Sequence, residues 1–383
     1  MSSTATERRL TALAYICLLM VGINGGWTGP FIPEISRTLR VPIDHAGLII
    51  SASAFGYFVA LIAAGAVSHR WSAHHLLIVS MVLFALGLFG LALAPILPVL
   101  LLGGMIIGLG NGAIDVAANA VIVDLNRDRL ASALNYLHVL FGVGALMGPI
   151  IVAFALARVI PYWWVFGAGA IGSALVGISL ARTPAIEVRV PAESGGGFMT
   201  LLARPIIWAL FGVLFLYVGG EAGVGAWLFL YLRTAGALGP AIASSGVSVY
   251  WLGLIAGRIM GGRIAHRIAA REMTILGSAI SALALLGLIA FPRWYAIATI
   301  MVFLIGFGYG PIFPNMVAIG AERFPSRVGQ MSSIIISGGA FGAIIVPWLM
   351  GHAMATATPR ISMELAFAVT ALMVMLSFAV RRR

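Results

Sequence analysis

Charge is what this chain of 383 residues has least of: 9% of its residues are Asp, Glu, Lys or Arg, against about 25% in soluble domains. With a mean hydropathy of +1.06, that scarcity excludes a water-soluble globular protein. There is one cysteine, Cys17, and it lies inside the first apolar run, so disulfides and cysteine-based metal sites within one chain are excluded. Lysine is absent. The arginines that make the net charge +11 sit in short loops between apolar segments, not in one stripe, which argues against a nucleic-acid partner. No P-loop, HExxH or G-x-S-x-G occurs, so ATP-driven transport and the common hydrolases find no support, and no enzyme is expected. A cleavable signal peptide is not expected either. The first apolar run continues through Asn24-Gly-Gly-Trp27 to Pro30, too long for a signal segment. His74-His75 offers no metal pair, because adjacent residues on a helix face apart.

What the chain has is apolar length. At roughly 20 apolar residues per span with short loops, it accommodates about twelve membrane helices. The patterning predicts helices near 10–38, a second ending at Ala66, a third from Leu76, a fourth after the turn at 94–98, a fifth ending near Arg158 and a sixth opening at 162–164. After a polar stretch at 182–204, rich in Pro, Gly and mixed charge, six more follow near 205–232, 241–264, 273–291, 295–320, 329–354 and 361–380. The stretch reads as a flexible cytoplasmic linker between an N-terminal half, 1–181, and a C-terminal half, 205–383.

The halves repeat. GAVSHRWSAH at 65–74 aligns with GRIAHRIAAR at 262–271, and GLGNGAID at 108–115 with GFGYGPIF at 306–313. Gly144 and Pro149 align with Gly342 and Pro347, and Gly25, Gly26 and Gly29 with Gly219, Gly220 and Gly223. Counterparts follow in the same order and orientation, a parallel repeat about an axis along the membrane normal. The fold class expected is thus an all-α membrane protein of two six-helix bundles. Arginines fall mostly on the side of the N-terminus, the linker and every second loop. That places both termini in the cytoplasm, in a multi-pass cell or inner membrane protein.

Polar residues stand where lipid forbids them. Asn111, Asp115 and Asn119 recur every four residues and line one helical face, and Asn135 and His138 share a face of the next helix. A carboxylate near the bilayer centre costs about 2.5–3.5 kcal/mol on insertion scales, so Asp115 and Glu221 are candidate ion-coupling groups. Asn24, Asn111, Asn119, Asn135 and His138 are candidates for binding solute hydroxyls, with Trp27 and Phe313 stacking on the solute. The asparagines serve equally as interhelical hydrogen-bonders. Gly144, Gly148 and Pro149 thin and bend their helix so that a neighbour approaches closely. Arg258 lies within a helix, as a gate-forming ion-pair residue or as a side chain snorkelling to the cytoplasmic end. The glycines around Glu221 suggest a bent seventh helix with exposed carbonyls, a hard oxygen site suited to Na⁺.

At GNGAIDVAANAVIVDLNR, ALNYLHVLFGVGALMGP and FLYVGGEAGVGAWLFLYL the chain resembles the fucose:proton symporter branch of the major facilitator superfamily. Within that branch it is most like sodium-dependent glucose transporter-like members. The resemblance implies roles for Asp115, Asn119, His138 and Glu221, and implies coupled sugar uptake. The chain departs from the fucose transporters at the first helix, where Asn24 and Trp27 stand in place of an acid. His69 and His266 stand where the superfamily loop motif commonly has aspartate. The expected function is therefore alternating-access uptake of a neutral monosaccharide coupled to Na⁺ or H⁺. No cofactor beyond the coupling ion is expected. The expected partners are a small solute and the bilayer, with the protein a monomer. The alternative is drug or metabolite efflux, since Gly144-Ala-Leu-Met-Gly148-Pro149 matches a G-x-x-x-G-P antiporter core, with Val152 where a further glycine would stand.

Overall fold

A computed structural model describes residues 3–67, 71–126, 130–184, 198–324 and 328–380. His69, Arg70, Arg127, Arg129 and most of the 182–204 stretch lie outside the described residues. Among those described there are fourteen helices: α1 (Ser3–Leu39), α2 (Ile43–Val67), α3 (Ala73–Leu93), α4 (Leu97–Leu125), α5 (Leu130–Ala157), α6 (Tyr162–Ala181), α7 (Phe198–Leu202), α8 (Pro205–Thr234), α9 (Pro240–Ile264), α10 (Ala270–Ala290), α11 (Tyr295–Tyr309), α12 (Ile312–Arg323), α13 (Val328–Thr356) and α14 (Pro359–Ala379). Twelve spans are long and apolar enough to cross a membrane, α11 and α12 together making one of them. Proline begins α4, α8, α9 and α14 within the first two positions, where its missing N–H costs nothing.

Two differences from the sequence reading stand out. The expected helix at 295–320 is two helices, α11 and α12. Pro311 has no N–H to give the carbonyl four residues back and its ring crowds that carbonyl, so α11 stops and Pro311 caps α12. The first-half counterpart, Ala113, carries no such constraint, and α4 runs through unbroken. Within the stretch read as linker, residues 198–202 form the short helix α7, and Trp208 Nε1 donates to Leu202 O at 2.8 Å.

The chain divides into two compact units, Met1–Ala192 and Glu193–Arg383. In the first, α1 packs on α5, α2 on α4, and α3 on both α4 and α6. In the second, α8 packs on α13, α9 on α11, and α10 on both α11 and α14. The partner scheme repeats in chain order, as the matching glycines require. Backbone-to-backbone seams make these pairs. A Cβ at Gly22 would fall on Phe141 O, and one at Gly144 would fall on Leu19 O and 2.8 Å from Ile23 N. The α2–α4 seam has the same register as the α9–α11 seam. Gly56 meets Met105 O and Gly108 meets Ser53 O, as Gly253 meets Phe303 O and Gly306 meets Tyr250 O. In lipid, where hydrophobic drive between helices is absent, such close approach supplies the packing energy.

Each unit also ties its third helix to its last. His74, 2% exposed, gives its Nε2 hydrogen to Leu180 O at 3.0 Å at the end of α6. In the second unit Arg271 Nη2 donates to Phe378 O at 3.1 Å at the end of α14. The ring stack of His74 on His75, and the bond of Ser72 Oγ with His75 Nδ1, are local to the start of α3. No cluster able to hold a metal occurs among the described residues.

The seams give a paired prediction. Gly144→Ala forces a methyl into the α1 backbone and lowers detergent-solubilised thermal stability, at an overpacking cost of about 1–3 kcal/mol. Gly25→Ala meets no atom within 4 Å and leaves the melting temperature unchanged or higher. Equal melting temperatures for the two variants would refute the seam.

Candidate functional site

Each unit holds one polar group inside its helices. In the first, the α4 face carries Asn111, Asp115 and Asn119 on successive turns, as its spacing requires. Asn119 Nδ2 donates to Asp115 Oδ1 at 2.9 Å and to its main-chain oxygen at 2.8 Å. Tyr57, from α2, donates its hydroxyl to Asp115 Oδ2 at 2.7 Å. Tyr57 reaches the acid because α2 lies directly against glycines of α4: a Cβ at Gly112 would sit 2.7 Å from Tyr57 O. Each carboxylate oxygen thus has a neutral donor, and no basic side chain pairs with Asp115 among the described residues. One turn away, Asn111 Oδ1 is buried without a hydrogen-bond partner.

The second group joins α8 and α9. Arg258 Nη2 stands 3.9 Å from Glu221 Oε1, beyond hydrogen-bond range, and 3.5 Å from the Tyr217 hydroxyl, which also reaches the Glu221 carboxylate. Tyr250 donates to the main-chain oxygen of Glu221 at 3.2 Å. The Tyr217 ring meets Tyr309 edge-on at 5.8 Å and Phe313 at a tilt at 6.5 Å. The Tyr309 hydroxyl is bonded to Thr370 Oγ1 at 2.6 Å. Arg258 therefore points inward to an acid and does not snorkel away from it. The seventh span is not bent open as the glycine pattern suggested. α8 runs continuously past Gly219, Gly220 and Gly223, because those glycines receive Val346, Tyr309 and Met350 side chains.

The other sequence candidates are placed apart from these groups. Asn24 and Trp27 hold each other: Trp27 Nε1 donates to Asn24 Oδ1 at 3.1 Å, and both are buried. The Trp27 ring packs edge-on against Phe166 at 5.6 Å and lies over Gly169 of α6. Gly148, with Gly144, forms the α5 side of the α1 seam, and Pro149 Cδ lies against Gly26. His138 is exposed on α5, and Asn135 lies on the same helix with its side chain outside the described part. Two participants were not foreseen. Tyr57 carries no motif, and only its place opposite the α4 glycines could have drawn attention to it. The partnership of Arg258 with Glu221 links residues on different helices, which periodicity along one helix does not report.

Twelve apolar spans in two repeated units, each with charged side chains enclosed by its helices, define a polytopic membrane transporter. The Major Facilitator Superfamily model matches residues 14–347 and 235–382, and the chain belongs to that superfamily. It is 20% identical over 375 residues to sodium-dependent glucose transporter 1A of Mus musculus, covering 88% of each chain. It is 23% identical over 384 residues to the glucose/mannose transporter GlcP of Bacillus subtilis (strain 168), covering 96% of this chain and 94% of that one. The solved structure of the nucleoside transporter NupG shares the fold, with a TM-score of 0.83 at 11% identity over 98% of this chain and 100% of that one. The chain is a transporter and not an enzyme.

The bond across α2 and α4 is measurable. Tyr57→Phe leaves one oxygen of Asp115 without its donor and costs about 1–3 kcal/mol of stability. In an Asp115→Asn background the same change costs less, because the charged acceptor is gone. A double-mutant cycle of melting temperatures with no coupling between the two sites would show that the bond contributes nothing.

Proposed function

We propose that this transporter takes up a neutral monosaccharide together with H⁺ or Na⁺ by alternating access, with Asp115 as the coupling group. The observation that carries the proposal is a membrane-embedded carboxylate held by two neutral donors, Tyr57 and Asn119, with no basic partner among the described residues. Such a group is costly when charged and empty, and a proton or cation relieves the cost. Coupling follows when ion and solute stabilise the same conformers. The charge of Glu221 is opposed by Arg258, so the coupling role falls first to Asp115.

The neutral solute is supported by the amide chemistry beside the acid. Asn111 keeps an unused buried acceptor, suited to a hydroxyl donor, with Asn119, Asn135 and His138 as further hydrogen-bonding groups. Asn24 and Trp27 are read as supports of α1, since their polar atoms are used on each other. Relatives named as glucose and glucose/mannose transporters favour a hexose. The G-x-x-x-G-P run gives no separate support to efflux, because its glycines are taken up by the seam with α1. Both termini are read as cytoplasmic from the arginine distribution.

Proteoliposomes test this reading. D-glucose or D-mannose is expected to accumulate under an inward H⁺ or Na⁺ gradient. Asp115→Asn should lose accumulation while keeping solute exchange, since the substituted amide cannot change charge. Wild-type accumulation with unchanged ion dependence in Asp115→Asn transfers the role elsewhere. Movement of lipophilic drugs only, with no sugar flux, overturns the proposal in favour of efflux.

A further inference from the structure

The Glu221–Arg258 pair is under-bonded. A guanidinium has five N–H donors, yet the contacts of Arg258 are a 3.5 Å approach to the Tyr217 hydroxyl and a 3.9 Å approach to Glu221, and its Nε is buried without a partner. Free to close, an arginine–carboxylate pair in a low-dielectric interior settles at about 2.7–2.9 Å. Here closure is opposed from both sides. The main chain of Glu221 is tied to α9 through Tyr250, and Tyr217 is wedged by the Tyr309 and Phe313 rings. The two side chains nonetheless keep 13% and 29% exposure, so their charged ends are within reach of a solute.

The chemistry of the gap selects its occupant. An anion would be drawn to Arg258 but repelled by Glu221, and a cation the reverse; the pair in sum is neutral. What satisfies both is a neutral ligand offering a donor and an acceptor on adjacent atoms. A vicinal diol does this. We propose that Glu221 and Arg258 form a diol-binding subsite, one sugar hydroxyl donating to Glu221 and its neighbour accepting from Arg258, with the partly exposed Phe313 ring beside it for the sugar C–H face. The inference rests on the saccharide reading and extends it, because it places solute recognition in the second unit, on residues distinct from the Asp115 group.

The test is a binding panel on the purified full-length protein, with D-glucose and its 2-, 3-, 4- and 6-deoxy analogues followed by calorimetry. Two adjacent hydroxyls are expected to matter most, and deleting either should weaken binding about 10- to 100-fold, as for hydrogen bonds to charged groups. In the Glu221→Gln/Arg258→Gln double variant, which leaves no lone buried charge, glucose should bind weakly and its deoxy analogues nearly as well as glucose. A wild-type panel in which no adjacent pair stands out overturns the subsite, and that arm needs no variant. So does a double variant with undiminished selectivity. If the wild type binds the sugars but ignores the pair, only this inference falls; if it binds no saccharide under any ion condition, the transport reading falls with it.

Discussion

Lipid offers no hydrogen bonds, and the rest of this structure depends on that. Every backbone group in a span is satisfied along its own helix. Helices meet through glycines whose missing side chains let one backbone rest on another, as at Gly22 and Gly144 or Gly108 and Gly306. Any side chain with unmet polar capacity is therefore conspicuous. Asp115 and Asn111 in one unit, and Glu221 and Arg258 in the other, are the places where the helices leave such capacity to something beyond themselves.

The two units keep the same seams and exchange the chemistry laid over them. At the α2–α4 position of the first unit stand Tyr57 and Asp115; the corresponding places in the second are Leu254 and Phe313, apolar on both helices. Where the second unit sets Glu221 and Arg258, the first has Trp27 and Leu61. Each unit thus holds one polar pair at a site its counterpart fills with hydrocarbon. A carrier that must bind both an ion and a solute gains from this separation, because each pair is tuned without disturbing the other.

Most of the fold was legible in the amino-acid sequence, and the reason is the same shortage of partners. Apolar runs of span length, the alignment of Gly144 with Gly342 and the Asn111–Asp115–Asn119 spacing are local or periodic, and periodicity survives translation into three dimensions. The break at Pro311 escaped because proline is tolerated in many membrane helices, as Pro30, Pro33, Pro149 and Pro347 are here. The glycines near Glu221 suggested an opened helix, yet they serve side-chain packing. Tyr57 escaped because its role depends on which helix lies beside α4, and Trp27 was drawn toward the solute because nothing along α1 reveals Phe166 opposite it.

The ties from His74 to Leu180 and from Arg271 to Phe378 have a consequence for biosynthesis. In each unit the third helix is joined at its amino end to the helix that leaves the ribosome last among the six. Neither bundle can close until its final span has been delivered to the membrane. Until then α3 and α10 each present an unmet flank to lipid, and the polar head at its start, imidazole in one and guanidinium in the other, waits for a carbonyl that has not yet been made. Completion of each half is thereby marked chemically, by the arrival of that carbonyl.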